Sequence, residues 1–499
     1  MFLLRHKESL NIAMISSTII LGGGTAGLIS ALLMKKTNPN VDVRVIESSS
    51  IGIIGVGEGS TEHWSTLMQL LDIDVKELLL ETGATFKSGI KFTNWHGDNT
   101  NYWHSLIPEF VALDHTSGIN AGLIYAIAHN QDPEMTVPDE VKDSIHPLDF
   151  KVNQFHFDTN KLNLYFHKLG KKLGIEFVED IIKDVKLDSS GNVECLCGEK
   201  DSYYAELFID SSGFNRLINS KLDSKWIDCQ KYLPMNSAIA FPTPYQEKIP
   251  SHTEARALSS GWMWRIPTQD RFGNGYVYCD HFITDEEALA EAQTQFDHKI
   301  EIGKKIKFSA GYLDKFWQKN CVSVGLAGMF VEPLEATSIG FTIQQTLCLL
   351  AALPYWTKQE DIQQETYNNI MDDVATNIID FVQLHYFTQR RDSKFWQWAA
   401  DNLEWTEWNK QNIDRYKTAL PGTIEFNEHF LMFKGANFQQ VMHGLRLFDA
   451  EKIKLVWDKH YANLSQDVEY IQSVKISNTI PHRELLKIIM GEQYDLTKD

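Results

Sequence analysis

Thr18-Ile-Ile-Leu-Gly-Gly-Gly-Thr-Ala-Gly27 is the stretch that decides the fold. A short apolar run opens into glycines spaced Gly22-x-Gly24-x-x-Gly27, and Ala26 to Lys36 then reads as a helix. Val41-Asp-Val-Arg-Val-Ile46 is the next strand, so the stretch is a βαβ unit and predicts a parallel sheet. In such a turn Gly22 permits the tight bend, Gly24 lets backbone approach a pyrophosphate, and Gly27 lets the helix pack on the strand. The helix start, at Thr25 and Ala26, offers unpaired N–H groups and the positive end of its dipole to phosphates. Glu47 ends the second strand 20 residues after Gly27, where a carboxylate accepts hydrogen bonds from ribose hydroxyls. A glycine-rich turn alone is a weak signal, but strand, helix and Glu47 in register predict bound FAD or NAD.

Further along, Leu162 to Leu173 is amphipathic and stops at Gly174, as a helix C-terminus should. Leu207-Phe-Ile-Asp-Ser-Ser-Gly213, containing Asp210, and Val322-Ser-Val-Gly325 look like the strands that return late to the flavin in FAD-containing monooxygenase-like folds. An NAD dehydrogenase usually completes its cofactor domain in one block, so FAD is the expected cofactor. Residues 223–282 are strand-like, and long helical periodicity with many aromatics follows Thr337. The expected organisation is an N-terminal extension over 1–17, an FAD-binding α/β module with substrate-lobe insertions over 18–345, and a mostly helical substrate lobe over 346–499.

Composition narrows the partners. With 499 residues, 43% hydrophobic and 23% charged, the chain is ordinary globular material, which excludes disordered, collagen-like and coiled-coil readings. Its 47 basic and 66 acidic residues give a net charge of -19, which disfavours nucleic acid and anionic membrane. The six cysteines form no CxxC pair, and the histidines have no metal-ligand spacing, so no metal is expected. Cys195 and Cys197 are placed on one face of a strand. No apolar run approaches the ~20 residues of a membrane span, and the first 17 residues lack the ordered regions of a signal peptide. A cytoplasmic location is expected.

Four further segments resemble one family, the flavin-dependent tryptophan halogenases. Gly55-Val-Gly-Glu-Gly-Ser-Thr61, with Gly57 and Glu58, resembles its GVGEAT loop. Trp262-Met-Trp-Arg-Ile-Pro267 matches WxWxIP at every fixed position: Trp262, Trp264, Ile266 and Pro267. Phe330-Val-Glu-Pro-Leu-Glu-Ala-Thr-Ser-Ile339 resembles FxEPLESTGI, and residues 381–396, with Leu384-His-Tyr386, resemble a helical family segment. The resemblance implies a Rossmann-like α/β flavin monooxygenase/halogenase fold with a helical substrate lobe. It also implies that reduced FAD, O2 and a halide ion yield hypohalous acid for electrophilic halogenation of an arene.

By this resemblance Lys87, 29 residues after Glu58, is the active-site lysine that holds the electrophile beside the substrate. Either a desolvated ammonium hydrogen-bonds the acid, or a neutral amine becomes a haloamine, because burial lowers a lysine's pKa. A lone lysine is ordinarily a solvated surface charge, and Lys91 is the alternative if the register is wrong. Phe86, Ile90, Phe92 and Trp95 argue instead for burial of Lys87. Glu335 is the second catalytic candidate, facing the lysine, and Glu332 is the weaker one because Pro333 separates it from the matching position. Trp262 and Trp264 share a face if their segment is a strand. They form a wall between substrate and flavin, or simply pack the core.

The chain departs from the family at Ala336 and Ser338, where the family carries serine and glycine. That turn's amides bind halide, and losing the glycine removes easy access to positive φ. Halide binding is still expected at Thr337 and Ser338. Trp95, His96, Trp103 and His104 are candidate pocket residues. Residues 425–438 hold no convincing tryptophan clamp, so an electron-rich indole or phenol is the expected substrate. The expected partner is a separate NAD(P)H-dependent flavin reductase delivering FADH2 by diffusion, and the sequence leaves an oligomer open. Two other readings stand beside the halogenase: a flavin-dependent aromatic monooxygenase, marked by product that needs no halide, and a catalytically silent FAD-binding protein.

Overall fold

The computed structural model describes residues 15–52, 58–105, 113–114, 119–131, 144–145, 154–357, 362–422, 426, 430–470 and 479–491. Residues 1–14 of the expected extension, Gly57 with most of its loop, and part of 425–438 lie outside the described residues. The βαβ unit forms as read: strand Ser17–Leu21, helix Thr25–Thr37 and strand Asp42–Glu47. They belong to a six-stranded sheet in the spatial order Glu176–Glu179, Asp42–Glu47, Ser17–Leu21, Leu207–Asp210, Cys321–Ser323 and Trp317–Gln318. All its pairings are parallel except the last, a hairpin. Ile19, Ile20, Val43, Val45, Phe208 and Ile209 are buried whichever way they point, as a sheet covered on both faces requires. The two late strands therefore do return to the first, with Asp210 opposite Leu21.

Helix Thr159–Leu173 packs against helix Thr25–Thr37. Asp158 caps its start by accepting from the amides of Asn160 and Lys161, and Gly174 ends it at φ 82°. Cys195 and Cys197 lie in strand Val193–Gly198 with sulfurs 3.9 Å apart.

A seven-stranded sheet carries the second half of the site. Its order is Lys304–Lys307, Ser237–Pro244, Arg271–Tyr278, Gly261–Pro267, His252–Leu258, Gly89–Thr93 and Asn101–Ser105. It is antiparallel apart from the parallel join of Gly89–Thr93 to His252–Leu258. A three-stranded sheet bridges the two halves, with Phe155–Phe157 between Glu58–Gly59 and Thr85–Phe86. Beyond it, helices Thr337–Ala352, Ile362–Leu384, Lys394–Asn402, Glu407–Tyr416, Gly435–Gly444 and Ala450–His460 make the helical lobe. The first of these runs across the expected 345/346 boundary. Among the described residues no helix is long and apolar enough to cross a membrane, and no cluster of three or more His, Cys, Asp or Glu could hold a metal.

Candidate active site

The dinucleotide turn is built by close approach. Gly22 has φ 115°, and a Cβ there would strike the carbonyl of Ser211. A Cβ on Gly27 would strike the carbonyl of Gly22, so the helix can sit this close to the strand only with glycine. Around Gly24 a Cβ would meet none of the described residues within 4 Å. That open approach, beside a helix start with no side-chain cap, fits a pyrophosphate. Gly23 is also tied to the site, because any side chain there would overlap the Glu47 carboxylate. The motif spacing gave no reason to single it out. Glu47 stands at the end of its strand with His167 Nε2 3.2 Å from one oxygen. Thr25 donates its hydroxyl to Asn163 Oδ1 at 3.0 Å. Gly325, at φ 58°, packs directly on Ala26. Asp210 is fully buried and accepts from the Ser212 amide and hydroxyl and from the amides of Ile218 and Asn219. Its carboxylate shapes the turn that lies over Gly22.

Lys87 follows the short strand Thr85–Phe86 and is 4% exposed. Its backbone N–H donates to Gln154 O at 2.9 Å, and Nζ donates to Ser60 O at 2.9 Å. Thr85 fixes the strand from the other side by donating its hydroxyl to Pro267 O at 2.7 Å. The last residue of WxWxIP thus holds the lysine segment. Burial pushes Lys87 down to about 8, against the opposing charges of Glu335 and Glu62. A Cβ on Gly59 would lie 3.1 Å from Lys87 Nζ and 3.4 Å from Ala336 Cβ. Glu58–Gly59, the lysine tip and the turn before helix Thr337–Ala352 therefore converge. Lys91, the alternative lysine, is elsewhere, 6.0 Å from the Trp103 ring.

Glu335 is buried with a histidine at each oxygen. His104 Nδ1 donates to Oε2 at 2.8 Å, and His385 Nε2 lies 2.8 Å from Oε1 without hydrogen-bond alignment. Burial alone would raise this carboxyl, but the neighbouring His104 and His385 prevail and hold it below the usual range. The outer nitrogens are also engaged: His104 Nε2 accepts from Asn437 Nδ2 at 3.1 Å, and His385 Nδ1 is 2.8 Å from the Tyr102 hydroxyl. Asn437 is oriented in turn because its Oδ1 accepts the Lys434 amide. His104 consequently carries its proton on Nδ1.

The expectation about the halide turn needs one correction. Positive φ is required at Ala336, which sits at φ 55°, ψ 40°, while Ser338 is already helical. Replacement of the family's glycine at 338 therefore costs no conformational access. The start of helix Thr337–Ala352 has no side-chain cap, leaving first-turn amides, those of Thr337 and Ser338 among them, without intrahelical acceptors.

Glu332 is as buried as Glu335 but makes different contacts. Its Oε2 accepts from Trp262 Nε1 and from the Tyr386 hydroxyl, both at 2.6 Å. Burial raises it to about 7. Trp262 and Trp264 share a face of strand Gly261–Pro267, their rings 6.3 Å apart, and Trp264 lies over Gly275. Ile266 is buried beside them.

The four expected pocket residues separate. Strand alternation sends His104 and Tyr102 to the Glu335 side and Trp103 to the other face, where its ring meets His252 at 4.7 Å. Trp95 is in the core, donating to Ala255 O and packed against His385, Tyr386 and Trp396. His96 Nε2 contacts Gly444 O at 2.9 Å. Tyr102, His385, Asn437 and Ser60 had been given no role. For Tyr102 the i, i+2 relation to His104 was a usable signal, whereas Asn437, 333 residues from His104, left none.

The tryptophan halogenase family model matches residues 17–458. Tryptophan 7-halogenase RebH of Lentzea aerocolonigenes is 29% identical over 506 residues, covering 92% of this chain and 94% of that protein. Tryptophan 6-halogenase ThaL of Streptomyces albogriseolus is 30% identical over 448 residues, covering 82% and 83%. The crystal structure of a tryptophan 6-halogenase (SttH) from Streptomyces toxytricini has a TM-score of 0.84 at 25% identity, over 95% of this chain and 100% of that one. Matched from the dinucleotide strand through the helical lobe, the chain belongs to the tryptophan halogenase family.

Proposed function

We propose that this protein takes reduced FAD, O2 and a halide ion and halogenates an electron-rich arene, an indole or a phenol rather than strictly free tryptophan. One arrangement carries the reading: Lys87 Nζ and the uncapped start of helix Thr337–Ala352 meet around Gly59, with the Glu335 carboxylate close enough to oppose the loss of the lysine's charge. Gly22–Gly27 and Glu47, with Glu58 and Gly325, would hold the reduced flavin, which when bound would supply the chemistry that turns O2 and halide into hypohalous acid. Thr337 and Ser338 amides hold the halide. The Lys87 ammonium hydrogen-bonds the acid and aims it at the arene, and Glu335 balances that charge. The buried Trp262–Trp264 pair keeps arene and flavin apart, so that the electrophile crosses the protein instead of the substrate. FADH2 comes by diffusion from a separate NAD(P)H-dependent reductase, in the cytoplasm.

The test is mass spectrometry on a panel of indoles and phenols. Reactions contain the protein, FAD, a flavin reductase, NADH and catalase, with chloride, bromide or iodide in parallel. A halogen mass shift that disappears in Lys87→Ala is the expected result. Oxygen insertion without halide would replace the reading by a monooxygenase. Tight binding of free tryptophan in calorimetry would overturn the substrate class alone.

A further inference from the structure

The strand that carries Lys87 is only two residues long, Thr85–Phe86, and one side of it is paired to Phe155–Phe157. Besides the Thr85 bond to Pro267 O, a further contact comes from far along the chain. The Phe86 amide donates to Nε2 of His482 at 3.0 Å. His482 opens helix His482–Met490 and is 1% exposed. Its Nδ1–H points at two carbonyls, Ile249 O and Pro250 O, each 3.2 Å away. Burial lowers the ring to about 4, so at working pH it is neutral, with one nitrogen donating and the other free to accept. The helix itself is pinned: Arg483 donates to Glu247 O and Gln246 O at 2.7 and 2.9 Å, and Leu485 and Leu486 are buried. Residue 482 lies beyond the stretch matched by the family model, 17–458.

We infer that His482 is a positioning residue for the halogenation reaction, a C-terminal clamp whose Nε2 fixes the Phe86 amide and thereby the direction in which the adjacent Lys87 projects. The inference rests on the reading of Lys87 as the residue that directs hypohalous acid. Lys87 Nζ is held at one carbonyl, Ser60 O, and its backbone at another, Gln154 O. The amide one residue earlier is the third fixed point. Without it the strand keeps its pairing and the Thr85 bond to Pro267 O but loses the restraint nearest the lysine, and a displacement near 1 Å at a reacting group lowers turnover by up to roughly a hundredfold.

Two conservative variants isolate the acceptor. In His482→Gln the amide oxygen can take the place of Nε2. In His482→Asn the shorter side chain can still donate to Ile249 O and Pro250 O but does not reach Phe86. Both are polar and keep the helix anchor at Arg483. Two readouts are taken on the full-length chain: halogenated arene per hypohalous acid formed, the acid being counted with a soluble trap, and the rate of reductive methylation of Lys87, mapped by mass spectrometry. The expected result is near-wild-type behaviour of the Gln variant. The Asn variant should lose transfer by roughly tenfold or more, with acid formation unchanged and Lys87 methylated faster. Equal behaviour of the two variants in methylation and transfer, whether both intact or both impaired, overturns the inference. If wild type halogenates no arene yet Lys87 methylation separates Asn from Gln, the clamp stands and the functional reading fails.

Discussion

Lys87 illustrates how burial and a neighbouring anion, Glu335, together set a cation's chemistry. Burial pulls the lysine down to about 8 while Glu335 and Glu62 oppose it, so the ammonium is the main form below that pH. A charged hydrogen-bond donor is therefore present at neutral pH and gives way to a neutral amine above about 8. Arene product per hypohalous acid formed should stay level below pH 8 and decline above it. A ratio that rises through pH 8 would mean that the neutral amine captures the halogen. Glu335→Gln removes the opposing charge, and we expect transfer to fall by roughly a hundredfold or more with acid formation retained, read with the same trap. Lys87, Glu335 and His104 were legible because family motifs or their neighbours mark them. His385 stood in a quoted segment, Leu384-His-Tyr386, but its approach to Glu335 depends on how helix Ile362–Leu384 meets strand Asn101–Ser105. No local pattern encodes that meeting.

At the scale of elements, the βαβ unit, the helix ending at Gly174 and the paired tryptophans of strand Gly261–Pro267 all follow from periodicity and end signals. The turn before helix Thr337–Ala352 did not. Sequence comparison pointed to position 338, whereas the backbone places the left-handed residue at 336, where an alanine accepts φ 55°. Local dihedrals at a motif's interior depend on what the helix start must meet, here Gly59 and the lysine tip. An L-residue in this conformation is strained by about 1 kcal/mol relative to glycine. Ala336→Gly should therefore stabilise the protein by on the order of 1 kcal/mol, seen as a higher urea midpoint with unchanged slope. A lower midpoint would show that the methyl group's contact near Gly59 outweighs the relief of strain.

At the scale of the whole molecule, Glu332 joins three parts that are distant in sequence: the seven-stranded sheet through Trp262, the turn before helix Thr337–Ala352, and the helical lobe through Tyr386. Burial raises this carboxyl from 4.5 to about 7. Between those values the folded chain holds the proton more tightly than the unfolded chain does, so this group's contribution is fully present below pH 4.5 and is lost as pH rises through about 7. Asp380, also raised to about 7 by burial, acts in the same direction but is common to wild type and a Glu332 variant and cancels in their difference. Glu332→Gln stays neutral at every pH, and its amide oxygen can still accept from Trp262 and Tyr386. Its amide nitrogen takes the place of Oε1, which has no hydrogen-bond partner among the described residues. This gives a fixed penalty that is independent of pH. The melting temperature of Glu332→Gln relative to wild type should therefore be lowest near pH 5, climb to about pH 7 and level off above it. Parallel melting curves across that range would mean that the carboxyl ionises without penalty, and that the junction of sheet, turn and helical lobe is open to water.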